Sequence, residues 1–202
     1  MDRKKTKTPI DADTVLAAYR CGFFPMAESR TGPISWHSPD PRAIIPLDGF
    51  NIPRSFRRQI ERTDVTCTVN GSFERVISAC AERGHRSDTW ISDDIITVYT
   101  DLHRRGIAHS VESWRKGVLV GGLYGVALGG AYFGESMFSR ESDASKFALV
   151  HLVERLRSLG FLLLDTQIMN DHVRQFGAVE IPREEYLDLL AGAITLPIKF
   201  VE

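Results

Sequence analysis

The chain has 202 residues, 43% of them hydrophobic, with 25 Lys and Arg against 26 Asp and Glu and a net charge of −1. That suffices for one sizeable domain, or one domain with a small companion, and it excludes a general polyanion binder, so any contact with nucleic acid has to come from a local patch. The cysteines Cys21, Cys67 and Cys80 form no CxxC pair, which argues against a zinc site or disulfide scaffold and fits a reducing cytoplasm, and no apolar run reaches the length of a membrane span.

Residues before Ile10 are polar and basic; a frayed end is expected there, and no apolar segment follows that would make a signal peptide. Asp13 can cap a short helix carrying Leu16 and Tyr19 and stopped near Gly22, followed by an apolar turn at Phe23–Met26. In the run from Trp36 to Arg42, Pro39 and Pro41 force an extended path, read here as a connector with a core Trp rather than as the rigid edge of a cleft. Ala43–Leu47 reads as a strand. Arg54, Arg57, Arg58 and Arg62 then fall at i, i+3, i+4 and i+8 on one helical face, with Phe56 and Ile60 on another. A solvated face is the plainer reading, and contact with a phosphate backbone is the functional one.

Val65–Val69 alternates as a strand. Ser72 begins a helix with Phe73, Val76, Ile77 and Cys80, and Ser92 caps another with Ile95, Val98, Tyr99 and Leu102 inward and Gly106 past its end. Ala108–Trp114, Val118–Leu128 and Ala131–Phe138 form a three-stranded antiparallel meander. After Gly134–Arg140 comes a long helix with Ala144, Phe147, Ala148, Leu152, Leu156 and Leu159 at helical spacing, ended by Gly160. Phe161–Leu164 is a short strand leading to Asp165-Thr166-Gln167. Asp171–Phe176 and Tyr186–Leu190 are short helices before an apolar tail.

Helices, a meander, a long helix and a strand follow one another in the order of a GNAT-like acyltransferase core, an α/β (α+β) fold. The loop before the long helix, Arg140–Asp143, has two acids and no glycine, which repels the pyrophosphate of coenzyme A. Gly121, Gly122 and Gly125 lack the spacing of a dinucleotide fingerprint and read as a strand that another backbone approaches closely. Ser136 and Ser139 have no His at a fixed spacing, so neither reads as a nucleophile, and His109 and His172 are each read as structural. Glu135 and Asp165 remain: two carboxylates at strand ends beside a helix start, where α/β folds place their chemistry.

Gly134-Glu135-Ser136-Met137-Phe138-Ser139-Arg140 with Ala144-Ser145-Lys146 resembles the signature of the bacterial leucyl/phenylalanyl-tRNA–protein transferases. So do Gly22–Pro25, Trp36–Arg42, Thr89-Trp90-Ile91, His109–Glu112 with Trp114, Leu119–Ala127, Asp165-Thr166-Gln167 and Phe176-Gly177-Ala178, so that the match runs from Asp13 to Leu190. Met26, His37 and Thr166 stand where the family usually has Trp, Trp and Cys, and Leu152 and Leu156 replace aromatics on the long helix.

The resemblance implies transfer of Leu or Phe, less readily Met, from aminoacyl-tRNA to proteins bearing N-terminal Arg or Lys, marking them for degradation in the cytoplasm, with no metal and no cofactor. It also implies a small N-terminal domain, placed at residues 1–41, on a catalytic domain of residues 42–202. The reaction needs a deprotonated amine, and an α-amino group has a pKa of about 7.7–8.0. Asp165 is expected to polarise Gln167, which accepts a hydrogen bond from that amine, and Glu135 to orient the substrate or the acceptor's cation. Leu123, Tyr132, Leu149, Leu152, Leu156 and Leu164, with Met137, Phe138 and Ser139, are expected around the donor amino acid, Trp90 against the adenine, and Arg54, Arg57, Arg58 and Arg62 on the tRNA. The competing readings are a coenzyme A-dependent N-acetyltransferase and a non-catalytic RNA-binding module.

Overall fold

A computed structural model describes residues 10–82 and 89–201; the frayed end expected before Ile10 lies outside them. Helix α1, Ala12–Arg20, is capped by Asp11, whose carboxylate accepts the Thr14 N–H at 2.7 Å. Asp13, the expected cap, sits in the first turn, because it is Asp11 whose extended backbone lets a side chain reach back to a free N–H. The apolar stretch after Gly22 is a strand rather than a turn. Phe24–Ala27 (β1) pairs antiparallel with Ile34–His37 (β2) in a two-stranded sheet, and Trp36 on that hairpin is exposed rather than core.

The chain joins the main sheet at β3, Arg42–Ile45. Helix α2, Arg54–Ile60, ends before Arg62, which lies in the following turn, so the four arginines do not share one helical face. Strand β4 (Thr66–Val69), helix α3 (Phe73–Ala81) and helix α4 (Asp93–Arg104) follow, the last capped by Ser92, which accepts the Ile95 N–H at 3.3 Å. The meander is β5 (Ala108–Arg115), β6 (Val118–Leu128) and β7 (Ala131–Ser139). The long helix α5 runs Ala144–Leu159, with Gly160 left-handed at its end. Then come β8 (Leu163–Gln167), α6 (Asp171–Arg174), β9 (Val179–Ile181) and α7 (Arg183–Ile194), the last longer than the sequence pattern suggests.

The seven strands lie in the order β4-β5-β6-β7-β8-β3-β9, antiparallel throughout except for the β7–β8 pair, which α5 connects. The sheet separates two apolar clusters. Tyr19, Val76, Ile95, Tyr99, Phe133 and Tyr186 pack with α1, α3, α4 and α7, and Phe56, Tyr132, Phe147, Leu152, Leu156 and Phe200 pack with α5 and α2. The neighbours Leu123 and Tyr124 enter opposite clusters, as strand alternation requires. The glycines of β6 allow the close approach read from their pattern. A Cβ on Gly121 would lie 2.6 Å from the Cβ of Ala144 at the start of α5, and one on Gly125 would lie 2.2 Å from the Phe133 carbonyl oxygen.

Two irregularities coincide in β7. It pairs with β8 at Ala131, Tyr132 and Phe133, and beyond that, among the described residues, its strand partner is β6 alone. Immediately after the pairing ends, Gly134 faces Gly125 while Ser136 faces Tyr124, so Glu135 is an extra residue in a bulge. The strands splay apart where the bulge re-aims a carboxylate.

Candidate active site

The splay opens a cavity of about 460 Å³ between the uncovered half of β7, α5, the end of β8 and the α6 region. Leu123, Met137, Leu149, Leu152, Leu164 and Val173 give it apolar walls. Glu135 and Ser136 stand at its polar end. Its lining draws on both apolar clusters, Leu123, Leu149, Leu152 and Leu164 from the α5 side and Tyr124 and Phe138 from the other.

Glu135 is buried and surrounded by donors. The Tyr19 hydroxyl donates to Oε1, the Tyr99 hydroxyl donates to Oε2 at 3.1 Å, and Gln167 donates through Nε2 to Oε1 at 2.8 Å. The two tyrosine hydroxyls are themselves 2.5 Å apart. Burial pushes the Glu135 carboxyl up to about 7; the tyrosine and Gln167 hydrogen bonds oppose that rise and the charge of Asp165 adds to it. Burial also raises both tyrosines well above their ordinary value, so they stay protonated and donate.

Asp165 is the centre of a second network. Arg42 donates to Oδ1 through Nε at 3.0 Å and to Oδ2 through Nη2 at 2.7 Å, and the Tyr186 hydroxyl donates to Oδ2 at 2.8 Å. Arg42 and Asp165 are fully buried. The guanidinium lies between the rings of Phe24 and Tyr186, 4.8 and 4.4 Å from their centroids, and also donates to the Gly22 carbonyl at 3.1 Å. Burial pulls the Arg42 pKa down, and the bonds and charge of Asp165 more than offset it. Asp165 Oδ1 also accepts the Gln167 main-chain N–H at 2.8 Å, holding Gln167 at φ 66°. Asp165 thus reaches Gln167 through the backbone. A relay from Asp165 into the carboxamide is not the geometry found, because the carboxamide is oriented by Glu135.

Of the expected donor-pocket residues, Leu123, Met137, Phe138, Ser139, Leu149, Leu152 and Leu164 line the cavity. Tyr132 and Leu156 do not; both are fully buried in the core. Tyr132 lies where β7 is still paired with β8, closed in by Phe200 at 5.2 Å between ring centroids, and Leu156 is one turn further along α5 than Leu152. Trp90 is half-buried against the α1–α4 cluster, its carbonyl accepting the Ala27 N–H at 3.1 Å, and is not part of the cavity wall.

Arg54, Arg57, Arg58 and Arg62 are all exposed and lie away from the cavity. Arg58 and Arg62 border a separate groove of about 360 Å³ with Arg115 and Ser142. Arg115 is held there by Asp64 at 2.7 Å and by Glu141. The acids before α5 are likewise engaged, with Asp143 2.8 Å from Lys146, whose hydrogen bond keeps that carboxyl below its ordinary range. Among the described residues no group of three or more His, Cys, Asp or Glu is placed to hold a metal ion, and no helix is long and apolar enough to cross a membrane.

Sequence reasoning did not reach Tyr19 and Tyr99 as partners of Glu135, or Arg42 and Tyr186 as partners of Asp165. The one available signal was Arg42 itself, a cation followed directly by the apolar strand residues Ala43, Ile44 and Ile45.

Gln167 does not line the hole itself and is tied to it through its hydrogen bond to Glu135, and an apolar hole that ends at a carboxylate suits an uncharged side chain carrying a reactive carbonyl. A family profile described as leucyl/phenylalanyl-tRNA protein transferase matches residues 44–191, and one for the N-terminal domain of the same family matches residues 8–40. The leucyl/phenylalanyl-tRNA–protein transferase of Chlorobaculum parvum is 54% identical over 193 residues, 95% of this chain and 100% of that one. The protein of the same name from Gloeobacter violaceus is 54% identical over 195 residues, 96% of this chain and 98% of that one. Among solved structures, L-PGS from Bacillus licheniformis aligns with a TM-score of 0.45 and 14% identity, over 81% of this chain and 53% of that one. The chain belongs to the leucyl/phenylalanyl-tRNA–protein transferase family.

Proposed function

We propose that this protein is an aminoacyltransferase that moves Leu or Phe, less readily Met, from aminoacyl-tRNA to the N-terminal Arg or Lys of acceptor proteins in the cytoplasm, marking them for proteolysis. The observation that carries the reading is the apolar cavity ending at Glu135, which Gln167 backs through its Nε2 hydrogen bond, at the point where β7 and β8 part. Burying a Leu or Phe side chain in such a hole is worth roughly 1.5–3 kcal/mol, enough to select against charged or small side chains and too little to separate Leu from Met strongly.

An aminoacyl ester is already activated, so the protein has to hold an amine against the ester carbonyl. With Nε2 of Gln167 given to Glu135, its Oε1 is left to accept a hydrogen bond from the acceptor amine. Glu135, charged above pH about 7, attracts the acceptor's cationic end. Asp165 acts as a positioning residue, fixing the Gln167 backbone. Arg54, Arg57, Arg58 and Arg62 supply phosphate contacts away from the reacting atoms, and the division at residues 41 and 42 is part of the same proposal, supported by the chain joining the main sheet at Arg42.

Incubation with Leu-tRNA labelled on the amino acid, and a protein beginning with Arg, tests the reading. Label should pass to that protein and not to the same protein with a blocked N-terminus. Binding of the tRNA without transfer would instead make this an RNA-binding module, and transfer from acetyl-coenzyme A would make it an N-acetyltransferase.

A further inference from the structure

The hydroxyl of Ser136 is buried, and among the described residues Oγ has no hydrogen-bond partner. Ser136 lines the cavity next to Glu135, on the part of β7 that β8 leaves uncovered. The other polar groups there are committed. Glu135 takes its three donors, Ser139 is bonded to Ser145 at 2.9 Å, Thr166 donates to the Ala43 carbonyl at 3.2 Å, and Asn170 accepts the Val173 N–H at 3.1 Å. Tyr124 and His172 have interactions of their own. A buried hydroxyl without a partner lowers stability, and one kept at the polar end of a binding cavity calls for a ligand atom to complete it. Among the described residues no histidine or carboxylate bonds the hydroxyl, so nothing there activates it as a nucleophile.

Resting on the aminoacyl-transfer reading, we propose that Ser136 is a further catalytic residue, its hydroxyl donating to the carbonyl oxygen of the donor ester and stabilising the negative charge that develops there. The apolar walls hold the donor side chain, which leaves its carbonyl at the polar end. The acceptor nitrogen attacks the carbonyl carbon, and the C=O electron pair moves onto oxygen, facing Ser136. When the C=O bond re-forms, the bond to the ribose oxygen breaks, and that oxygen leaves with the proton given up by the amine. The carbonyl oxygen gains negative charge on the way to the transition state that it lacks in the bound ester, so a neutral donor aimed at it acts on turnover rather than on binding.

The test is Ser136→Ala in the full chain, measured by single-turnover transfer from Leu-tRNA to an Arg-initiated protein alongside thermal unfolding. The transfer rate should fall roughly 100- to 1,000-fold with donor affinity within about threefold. Tm should hold or rise, because the lost hydroxyl had no partner. Ser136→Thr, which keeps a hydroxyl, should recover part of the rate. An unchanged rate, a loss of donor affinity at unchanged rate, or a rate loss matched by a fall in Tm would each overturn the assignment. Failure of the wild-type protein to transfer would instead overturn the reading on which it rests.

Discussion

Arg42 and Asp165, 123 residues apart in sequence, form a buried two-point ion pair across the β3–β8 edge, with N–O distances of 3.0 and 2.7 Å. The pair is closed by aromatic rings on two sides of the guanidinium and by the Tyr186 hydroxyl on the carboxylate. Removing one partner leaves the other charge buried and unpaired, which costs about 3–5 kcal/mol. Asp165→Ala should therefore lower stability by about that much in urea unfolding, and turnover per folded molecule should fall as well, because the Gln167 main chain loses its anchor. Gln167→Ala, measured at about pH 6 where Glu135 holds its proton, leaves the ion pair intact and should lower turnover strongly while moving the unfolding midpoint less than Asp165→Ala does. Equal stability losses in the two variants would show that the ion pair is not the element holding the end of β8.

Glu135 links the site to pH. Its carboxyl titrates near 7 when folded and near 4.5 in its ordinary state, so the folded protein keeps the proton to higher pH than the unfolded chain. Stability contributed this way is complete below about pH 4.5, declines as pH rises toward about 7, and is absent above it. At about 1.4 kcal/mol per pH unit the whole change is about 3 kcal/mol. Tyr19 and Tyr99, which face the same carboxyl, remain neutral throughout, and Asp165 is held by Arg42. Burial lowers the His109 pKa to about 4, which makes stability rise with pH up to about 6.5 and opposes the Glu135 slope, so the quantity to read is the difference between the two proteins: in urea unfolding between pH 5 and 8, wild-type stability should fall relative to that of Glu135→Gln. A difference that stays constant across that range would contradict the buried, proton-holding carboxyl.

Donor choice should depend on Leu152 and not on Leu156, although both replace family aromatics. Leu152 lines the cavity, whereas Leu156 is enclosed in the core. Leu152→Phe should narrow the hole and shift the ratio of kcat/KM values from Phe-tRNA toward Leu-tRNA. Leu156→Phe should overpack the core, costing about 1–3 kcal/mol, and leave the ratio unchanged. The paired kinetic and unfolding measurements separate the two positions.

Arg58 and Arg62 share a groove with Arg115, which is already neutralised by Asp64 and Glu141. Replacing Arg57, Arg58 and Arg62 together should weaken tRNA binding equally for Leu and Phe donors. The log–log salt slope should flatten by about one unit or slightly less for each lost phosphate contact. Transfer from a short aminoacyl-adenosine should survive, since it lacks the stem. A wild-type salt slope in the triple variant would make this surface a solvated one.

Much of the fold was legible because local signals agreed. The meander from Ala108 to Ser139, the helix capped by Ser92 and the long helix closed by Gly160 each combine an apolar period with a turn or cap. Strand β9 was not legible, since Val179 and Glu180 are exposed and it is defined by main-chain pairing with β3 alone. The β1–β2 hairpin was missed because Pro25 reads as a turn residue, whereas a two-stranded edge tolerates it. Gln167 touches the cavity only through its bond to Glu135. Of the residues that line it, Glu135 and most of the apolar wall followed from spacing and resemblance. Their supports did not: Tyr19 and Tyr99 are 116 and 36 residues from Glu135, and they present ordinary helical core positions in the sequence. No local pattern distinguishes a core tyrosine whose hydroxyl meets a carboxylate from one that does not.

The central claim is that one amino acid passes from a tRNA ester to an N-terminal amine at the Glu135 end of the cavity, beside the Gln167 bonded to it. Mass analysis of an Arg-initiated protein after incubation with Leu-tRNA measures this directly. The account predicts a product heavier by one leucyl residue, joined by a peptide bond ahead of the Arg, with its yield sharply reduced by Gln167→Ala. An unmodified acceptor, a leucyl group attached elsewhere on it, or full yield from the Gln167→Ala variant would contradict it.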